Sequence, residues 1–242
     1  GQLARHCTTF DPCRGLPAHQ CQQDTFDSYG TGNTLPSSLY EPRSEPQTSG
    51  AAQWRVASDG DCAGGKVLTM HSAVQSTVGR DPCTNVRGAT LFLRASDAVR
   101  SHPDWSENIG VRVKFRVDSA PTATGVVGVV FSWVDANNGY RFMVSHDSVA
   151  SSAFTRTGGC ASLVRWTSGA AANKQRYQGG WRIGEWYELR VAQVGDTFMQ
   201  VELQPGYSAD PNTTPYRFYN PSDIGLFVST RNQGLRGGEV AL

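Results

Sequence analysis

A single stretch, residues 125–165, constrains the fold more than any other part of this sequence. Two apolar runs, Gly125–Val134 and Tyr140–Val144, are separated by Asp-Ala-Asn-Asn-Gly at positions 135–139. An Asn-Gly pair tolerates the positive φ angles of a tight hairpin turn, and Asp and Asn side chains hydrogen-bond to nearby backbone. The flanking runs are rich in Val, Phe, Trp and Tyr, which suit a pleated, half-buried surface. The stretch therefore predicts the central hairpin of an antiparallel sheet.

Further strands are predicted along most of the chain. Apolar and basic residues alternate strictly from Val111 to Val117, which is typical of a strand with one buried face. Tyr187–Val191 alternates similarly, and Gly195-Asp196 predicts a turn into a strand at Phe198–Leu203. Weaker strand signals lie at Asp24–Asp27, Gln53–Ala57, Lys66–Val74, Thr90–Arg94, Leu163–Thr167, Gln175–Gln178, Ile224–Ser229 and Glu239–Leu242, with a long loop predicted over residues 28–51. Many short strands and no long helical periodicity predict an all-β fold, an antiparallel two-sheet β-sandwich or jelly roll.

Composition limits the class of protein and the number of domains. The 242 residues are enough for one large β domain, which we place at residues 24–242, and residues 1–23 form a Cys-rich arm or the end of a preceding module. Basic and acidic residues number 22 and 21, a balance that gives no indication of nucleic-acid binding. No apolar run is long enough for a membrane span, and no signal peptide is visible at the start. We expect the chain to be a processed form or a piece of a larger protein.

The six cysteines predict a disulfide framework. None forms a C-x-x-C pair, so disulfides are favoured over a zinc site, and disulfides indicate an oxidising, extracellular compartment. Cys62 and Cys83 bracket a predicted strand and are our expected pair. Cys7, Cys13 and Cys21 fall in the N-terminal arm, one of them is a candidate partner of Cys160, and the full connectivity stays open. The sequon at Asn212 agrees with a secreted glycoprotein.

The order of these signals resembles the laminin-G-like or concanavalin-A-like β-sandwich modules of secreted and cell-surface proteins. The motifs that carry the resemblance are Asp24-Thr25-Phe26, Gln53-Trp54-Arg55-Val56, the hairpin from Gly128 to Phe142, Leu163-Val164-Arg165, the strand Trp186–Val191 with its Gly195-Asp196 turn, and Gly225-Leu226-Phe227. The resemblance covers residues 24–242 and implies the fold. It leaves function open, because such sandwiches bind glycans, mediate adhesion, act as spacers or carry glycosidases and lyases.

Catalytic signals are weak in this sequence. Glycosidases need two carboxylates placed across one bond, and related sandwich enzymes commonly carry them as Glu-x-Asp-x-Glu, which does not occur here. Glu185 and Glu188 are three residues apart, so on a strand they would point to opposite faces. The histidines have no flanking catalytic partners. We therefore do not expect an enzyme, and a secreted polysaccharide-degrading enzyme is the disfavoured alternative.

A structural calcium ion is the one cofactor that the sequence leaves open. Sandwiches of the resembled kind often hold calcium near the strand that opens the domain, and calcium takes carboxylate and carbonyl oxygens. Asp24 and Asp27 are the candidate ligands. The competing interpretation is that Asp24 caps a turn and that Asp27 is solvated.

A basic sheet face is the most specific functional signal. Because Val111–Val117 and Tyr187–Val191 bury their apolar residues, the opposite face carries basic ones, and strands that share this sheet would add to it. The candidate ligand-binding residues are Lys114, Arg141, Arg165, Trp166 and Arg190. Guanidinium groups beside an aromatic ring suit an acidic or sulfated glycan, through bidentate hydrogen bonds and stacking. The alternative is that these are solvated surface charges.

Taken together, these signals predict a non-catalytic extracellular module that binds carbohydrate or mediates adhesion. Its expected partners are glycans or other extracellular proteins, without nucleic acid and without membrane insertion by this segment. The competing class is a structural module for protein–protein assembly in an extracellular filament or coat.

Overall fold

The computed structural model describes a little over half of the 242-residue chain. The described residues are 26–32, 35–45, 48–50, 52–59, 65–71, 74–76, 87–93, 108–119, 125–149, 158–194, 198–206 and 239–241. The predicted N-terminal arm, the strand at 224–229, the sequon at Asn212 and every cysteine except Cys160 lie outside them. Cys160 is fully buried at the start of its strand, and its disulfide stays a prediction.

Fourteen strands run through the described residues. In chain order they are β1 Tyr40–Ser44, β2 Thr48–Ser49, β3 Trp54–Ser58, β4 Lys66–Met70, β5 Gln75–Ser76, β6 Ala89–Leu93, β7 Asn108–Arg116, β8 Val126–Asp135, β9 Asn138–Ser145, β10 Cys160–Thr167, β11 Ala170–Gln178, β12 Trp186–Val194, β13 Phe198–Gly206 and β14 Glu239–Ala241. No helix long and apolar enough to cross a membrane occurs among these residues.

The strands form two main sheets, both antiparallel. A seven-stranded sheet has the order β1-β6-β14-β8-β9-β10-β11, and a three-stranded sheet has the order β13-β12-β7. The pairs β2-β5 and β3-β4 are separate. This architecture confirms the predicted all-β fold and its antiparallel β-sandwich.

The apolar core lies between the two main sheets. The seven-stranded sheet contributes one face of β8, β9 and β10, including Phe131, Phe142 and Leu163, and the three-stranded sheet contributes Tyr187 and Leu189 from β12. Val111, Val113 and Phe115 of β7 pack against the same cluster. The alternation seen in the sequence at 111–117 and 187–191 is therefore confirmed as one buried face of each strand.

The β8–β9 hairpin is confirmed, but its turn differs from the prediction. The turn residues are Ala136 and Asn137, whereas Asn138 and Gly139 belong to β9 and neither has a positive φ. The carboxylate of Asp135 holds the turn, since its Oδ1 accepts hydrogen bonds from the Asn137 backbone N at 2.7 Å and from Asn138 Nδ2 at 2.9 Å. An Asp side chain can thus close this turn without the left-handed backbone that Asn-Gly favours.

A bulge in β8 changes the direction of one tryptophan. Phe131 pairs with Tyr140 and Asp135 pairs with Asn138, so four residue steps on β8 match two on β9. Ser132 takes up part of the irregularity with a φ of 47°. Simple alternation from Phe131 would place Trp133 in the core between the sheets, yet Trp133 packs with Phe92 and Val130 on the opposite side. Bulges commonly redirect a side chain in this way.

Two predictions for the N-terminal part are wrong. Phe26 and Asp27 lie in a turn, where the Tyr29 backbone N donates to the Phe26 carbonyl at 3.2 Å. The predicted loop over residues 28–51 contains β1 and β2. Pro42 hid the first of these, because proline cannot donate to a ladder; β1 accommodates it as an edge strand of the seven-stranded sheet.

Strand packing predicts a sharp contrast between two glycines. A Cβ added at Gly128 in β8 would lie 2.4 Å from the Phe142 carbonyl oxygen, whereas one added at Gly110 in β7 meets nothing within 4 Å. We expect Gly128→Ala to lower the free energy of unfolding by about 1–3 kcal/mol because the β8–β9 pair must shift. Gly110→Ala is the control, with a change within about 1 kcal/mol. Urea denaturation checks both, and equal effects would contradict the packing described here.

Candidate functional site

Polar and aromatic side chains collect on the face of the seven-stranded sheet that is turned away from the three-stranded sheet. We call this the far face. On β9 and β10 it carries Arg141, Met143, Val164 and Trp166, because these residues alternate with the core residues of the same strands. The bulge in β8 adds Trp133 to it.

Five residues on and beside the far face form an arginine–tryptophan layer: Glu45, Arg87, Trp133, Arg141 and Trp166. The Cζ atom of Arg87 lies 4.3 Å from the ring centroid of Trp166, and that of Arg141 lies 4.4 Å from the same ring. Arg141 also lies 5.4 Å from the ring centroid of Trp133. Each desolvated cation–π contact of this kind stabilises by up to about 2 kcal/mol. The two guanidinium groups are thus held together by a shared indole despite their like charge.

An ion pair fixes Arg141 within the layer. Arg141 Nη2 donates to Glu45 Oε1 at 2.5 Å and Arg141 Nε donates to the same oxygen at 3.2 Å, with 4% and 3% of the two side chains exposed. The other oxygen, Glu45 Oε2, accepts from the Gly88 backbone N at 3.0 Å. Burial lowers the pKa of the Arg141 guanidinium from its ordinary value, the charge of Glu45 opposes this shift, and the neighbouring Arg87 adds to it.

Glu45 and Arg87 reach the site from one end of the β1–β6 pair. Ser44 pairs with Ala89, so Glu45 and the residues just before β6 leave the sheet side by side. In the sheet order, β14 and β8 separate this pair from β9. Glu45 nevertheless contacts Arg141 of β9, and Arg87 lies over Trp166 of β10. The end of the β1–β6 pair therefore covers part of the far face.

Three N–H groups of the layer lack an acceptor. Arg87 Nε, Arg141 Nη1 and Trp166 Nε1 are buried and have no hydrogen-bond partner among the described residues. Leaving a buried donor unpaired costs about 1–3 kcal/mol, and more when the donor is charged. Within the described residues, the hydrogen bonding of the layer is therefore incomplete.

The structure separates the predicted ligand-binding residues. Arg141, Arg165 and Trp166 are 3%, 8% and 2% exposed, so the expectation that they lie on an open surface is wrong. Their strands also belong to the seven-stranded sheet, whereas Lys114 and Arg190 lie on β7 and β12 of the three-stranded sheet. Both faces of β9 and β10 are covered by other side chains. The alternation of residues in the sequence shows which face a side chain takes, and it does not show whether that face is covered.

The register places Lys114 and Arg190 on neighbouring strands of the three-stranded sheet. The side chain of Lys114 is exposed. Arg190 lies opposite Arg112 in the β7–β12 register, and for Arg190 and Arg112 the structure describes only the backbone. Arg165 alternates with Trp166 and so belongs to the other side of β10 from Arg141. Ligand binding by any of the five residues stays a prediction.

Sequence reasoning missed three members of the layer, namely Glu45, Arg87 and Trp133. Glu45 and Arg87 lie in segments without periodicity. Glu45 is 96 residues from its hydrogen-bond partner Arg141, and Arg87 is 49 residues from its partner Ala136. Trp133 was inside a recognised strand, but the bulge reversed its side. The only signal in the sequence was the presence of charged residues near strand ends, which is common in any sandwich.

The oxygens near the predicted calcium ligand Asp27 already bind a lysine. Asp27 Oδ1 accepts from the Lys66 backbone N at 3.0 Å, and Lys66 Nζ donates to the carbonyl of Asp27 at 2.9 Å and to that of Tyr29. These described oxygens fit an ammonium group rather than a metal ion. Asp24 lies outside the described residues, which contain no cluster of three or more metal-ligating His, Cys, Asp or Glu side chains. Calcium binding stays a prediction.

Glu185 has a structural role at the start of β12. Tyr187 Oη donates to Glu185 Oε2 at 2.9 Å and accepts from the Arg182 backbone N at 3.0 Å. Burial and this carboxylate raise the pKa of the Tyr187 hydroxyl. Trp181, just before this segment, is a core residue whose Nε1 donates to the Val144 carbonyl at 3.0 Å.

Comparison with known proteins gives one structural likeness. The chain is similar to the carbohydrate-binding module CBM66 from Bacillus subtilis at 15% sequence identity, over 66% of this chain and 74% of that chain, with a TM-score of 0.38. No family model and no curated protein matches the chain.

The buried ion pair predicts a large effect at Glu45. We expect Glu45→Gln to lower the free energy of unfolding by about 3–5 kcal/mol, because the Arg141 charge would stay buried without its partner. Glu41→Gln is the matched control, since Glu41 pairs with Arg43 at 2.6 Å but both side chains are 33% exposed; it should cost less than about 1 kcal/mol. Chemical denaturation distinguishes them, and equal losses would show that the Glu45 pair is not structurally important.

The hairpin turn predicts a defined pH dependence. Hydrogen bonds from the Asn137 backbone N and the Asn138 side chain lower the pKa of Asp135 below its ordinary value of 3.8. A depressed pKa in the folded state contributes stability above the unfolded value, and that stability is lost as the pH falls through the folded value. Asp135→Asn should therefore be less stable than the wild type at pH 6, with the difference shrinking below about pH 4. Thermal melts across this range check it; a difference that grows on acidification contradicts it.

Proposed function

We propose that this chain is a non-catalytic carbohydrate-binding module and that its ligand contacts the arginine–tryptophan layer. The observation that carries the proposal is the set of unpaired N–H groups on Arg87, Arg141 and Trp166. These groups are buried, the two guanidinium–indole contacts and the Glu45 ion pair hold them in place, and they have no acceptor among the described residues.

Carbohydrates match the chemistry of this layer. Their hydroxyl, ring and carboxylate oxygens are hydrogen-bond acceptors, which the unpaired N–H groups of Arg87, Arg141 and Trp166 require. Binding sites generally combine apolar and aromatic lining with a few precisely placed polar groups. Here the aromatic rings and the polar groups are on the same side of one sheet. A preorganised set of donors binds with little loss of side-chain entropy.

A binding role accounts for the layer better than catalysis does. The carboxylate within the layer, Glu45, is engaged by Arg141 and by the Gly88 backbone, and these hydrogen bonds hold it in place. A glycosidase acid would need a second carboxylate across the bond from it. We propose accordingly that the module recognises its ligand without altering it.

An extracellular setting agrees with this proposal. Glycan binding or adhesion at a cell surface or matrix is consistent with a disulfide framework involving Cys62, Cys83 and the buried Cys160, and with glycosylation at Asn212. These features are part of the proposal. Non-reducing peptide mapping tests the cysteines directly, and free thiols at Cys62 and Cys83 would remove this support.

A glycan array of neutral, uronate-containing and sulfated glycans tests the function. We expect the wild type to bind a defined group of glycans, and Arg87→Met to bind them at least about tenfold more weakly, since a charged donor is lost. Arg87→Met should fold normally, because the methionine keeps an apolar stem over Trp166 and removes repulsion with Arg141.

Ser162→Ala is the matched control for the same face. Ser162 lies on β10 four residues from Trp166, is fully buried, and has a hydroxyl without a partner among the described residues. Its removal should leave stability unchanged or higher and should leave binding unchanged. A blank array, or equal loss of binding in Arg87→Met and Ser162→Ala, would overturn the proposed function.

A further inference from the structure

We infer that the arginine–tryptophan layer holds one monoanionic oxyanion group of the glycan, a uronate carboxylate or a sulfate ester, between Arg87 and Arg141. This inference rests on the proposed function and specifies its ligand class. Of the five predicted ligand-binding residues, it keeps Arg141 and Trp166 on the far face of the seven-stranded sheet and leaves out Lys114 and Arg190 of the three-stranded sheet.

The charge of the layer is unbalanced. Its described residues include two guanidinium groups, Arg87 and Arg141, and one carboxylate, Glu45, which leaves a formal charge of +1 (2 − 1). Buried charges are normally paired, because an unpaired charge in a low-dielectric environment is costly. One monovalent anion would neutralise the layer, and a neutral sugar would not.

The donor pattern also fits an oxyanion. Arg141 uses Nε and Nη2 on Glu45, and its Nη1 is unpaired. Arg87 makes one long contact, from Nη1 to the Ala136 carbonyl at 3.4 Å, and its Nε is unpaired. A carboxylate or sulfate accepts several such N–H groups at once and makes stronger hydrogen bonds than a neutral oxygen.

Glu45 shows that this environment accepts a carboxylate. Its side chain is 97% buried and receives both a guanidinium and a backbone N–H. The unpaired Nη1 of Arg141 offers a second position next to it, which the Arg87 charge makes favourable. Both guanidinium groups contact the ring of Trp166, with Cζ atoms 4.3 and 4.4 Å from its centroid.

Thermal denaturation with small probes tests the anion site independently of the glycan. Sodium glucuronate and sodium methyl sulfate, both monoanions, should raise the melting temperature of the wild type at matched ionic strength, whereas glucose should not, because only an anion neutralises the layer. Arg87→Met should lose this stabilisation. Lys114→Met is the matched control, since it removes the same charge from an exposed position on β7 and should respond as the wild type does.

The probes also separate the two sources of the anion. Stabilisation by glucuronate supports a uronate ligand, and stabilisation by methyl sulfate alone supports a sulfated one, provided that Arg87→Met loses it. Equal stabilisation of the wild type and Arg87→Met by these salts indicates a general salt effect and overturns the inference. Loss of the response in Lys114→Met rather than in Arg87→Met also overturns it, in favour of the exposed basic face.

Polysaccharide binding separates failure of this inference from failure of the proposed function. Dextran with dextran sulfate, and polygalacturonate with its methyl ester, are pairs that differ in charge but not in backbone. We expect the anionic member of at least one pair to bind at least about tenfold more tightly, and this ratio to fall towards one in Arg87→Met. Equal binding within both pairs refutes the anion site while glycan binding stands; a blank glycan array refutes the function itself.

Discussion

The buried ion pair between Glu45 and Arg141 is the interaction on which the far face of the seven-stranded sheet depends. It joins the end of the β1–β6 pair to β9, across two intervening strands, and it places a fixed carboxylate among guanidinium and indole groups. The pair is favourable only because further hydrogen bonds satisfy it, including the one from Gly88 to Glu45. Without the ion pair, the Arg141 guanidinium would be a buried charge without a counter-ion, packed against the rings of Trp133 and Trp166.

The two faces of the seven-stranded sheet differ in composition and in packing. One face packs Phe131, Phe142 and Leu163 against the three-stranded sheet and supplies the apolar core. The far face packs aromatic rings against charges, and its hydrogen bonds are incomplete within the described residues. Incomplete satisfaction at a buried polar cluster is costly for stability, and the ligand proposed above would reduce this cost. The β8 bulge links the two faces because it moves Trp133 from the core side to the layer.

Local sequence patterns predicted the structure correctly where a residue's position depended only on strand alternation or on turn composition. Alternation correctly marked the core faces of β7 and β12, and turn composition correctly marked the β8–β9 and β12–β13 hairpins. The same patterns gave wrong predictions at three positions, where the neighbouring strands or a side-chain hydrogen bond decided the outcome. Pro42 concealed an edge strand, and Asp135 rather than Asn138-Gly139 closed the central turn. Arg141 looked like a solvent-facing charge because the period of two shows which face a side chain takes, and not whether another segment covers it.

By itself, the sequence determined that this chain folds as an antiparallel β-sandwich with a hairpin at residues 125–165 near its centre. Strand period, turn residues and β-branched composition act locally, so they can be read without knowing the fold. Only the tertiary structure decided that Arg141 and Trp166 are buried, that Glu45 and Arg87 join them, and that Lys114 lies in the other sheet. Those outcomes depend on which strands become neighbours and on one bulge in β8. They could not be predicted locally, because the residues that meet at the layer are 49 and 96 positions apart in the chain.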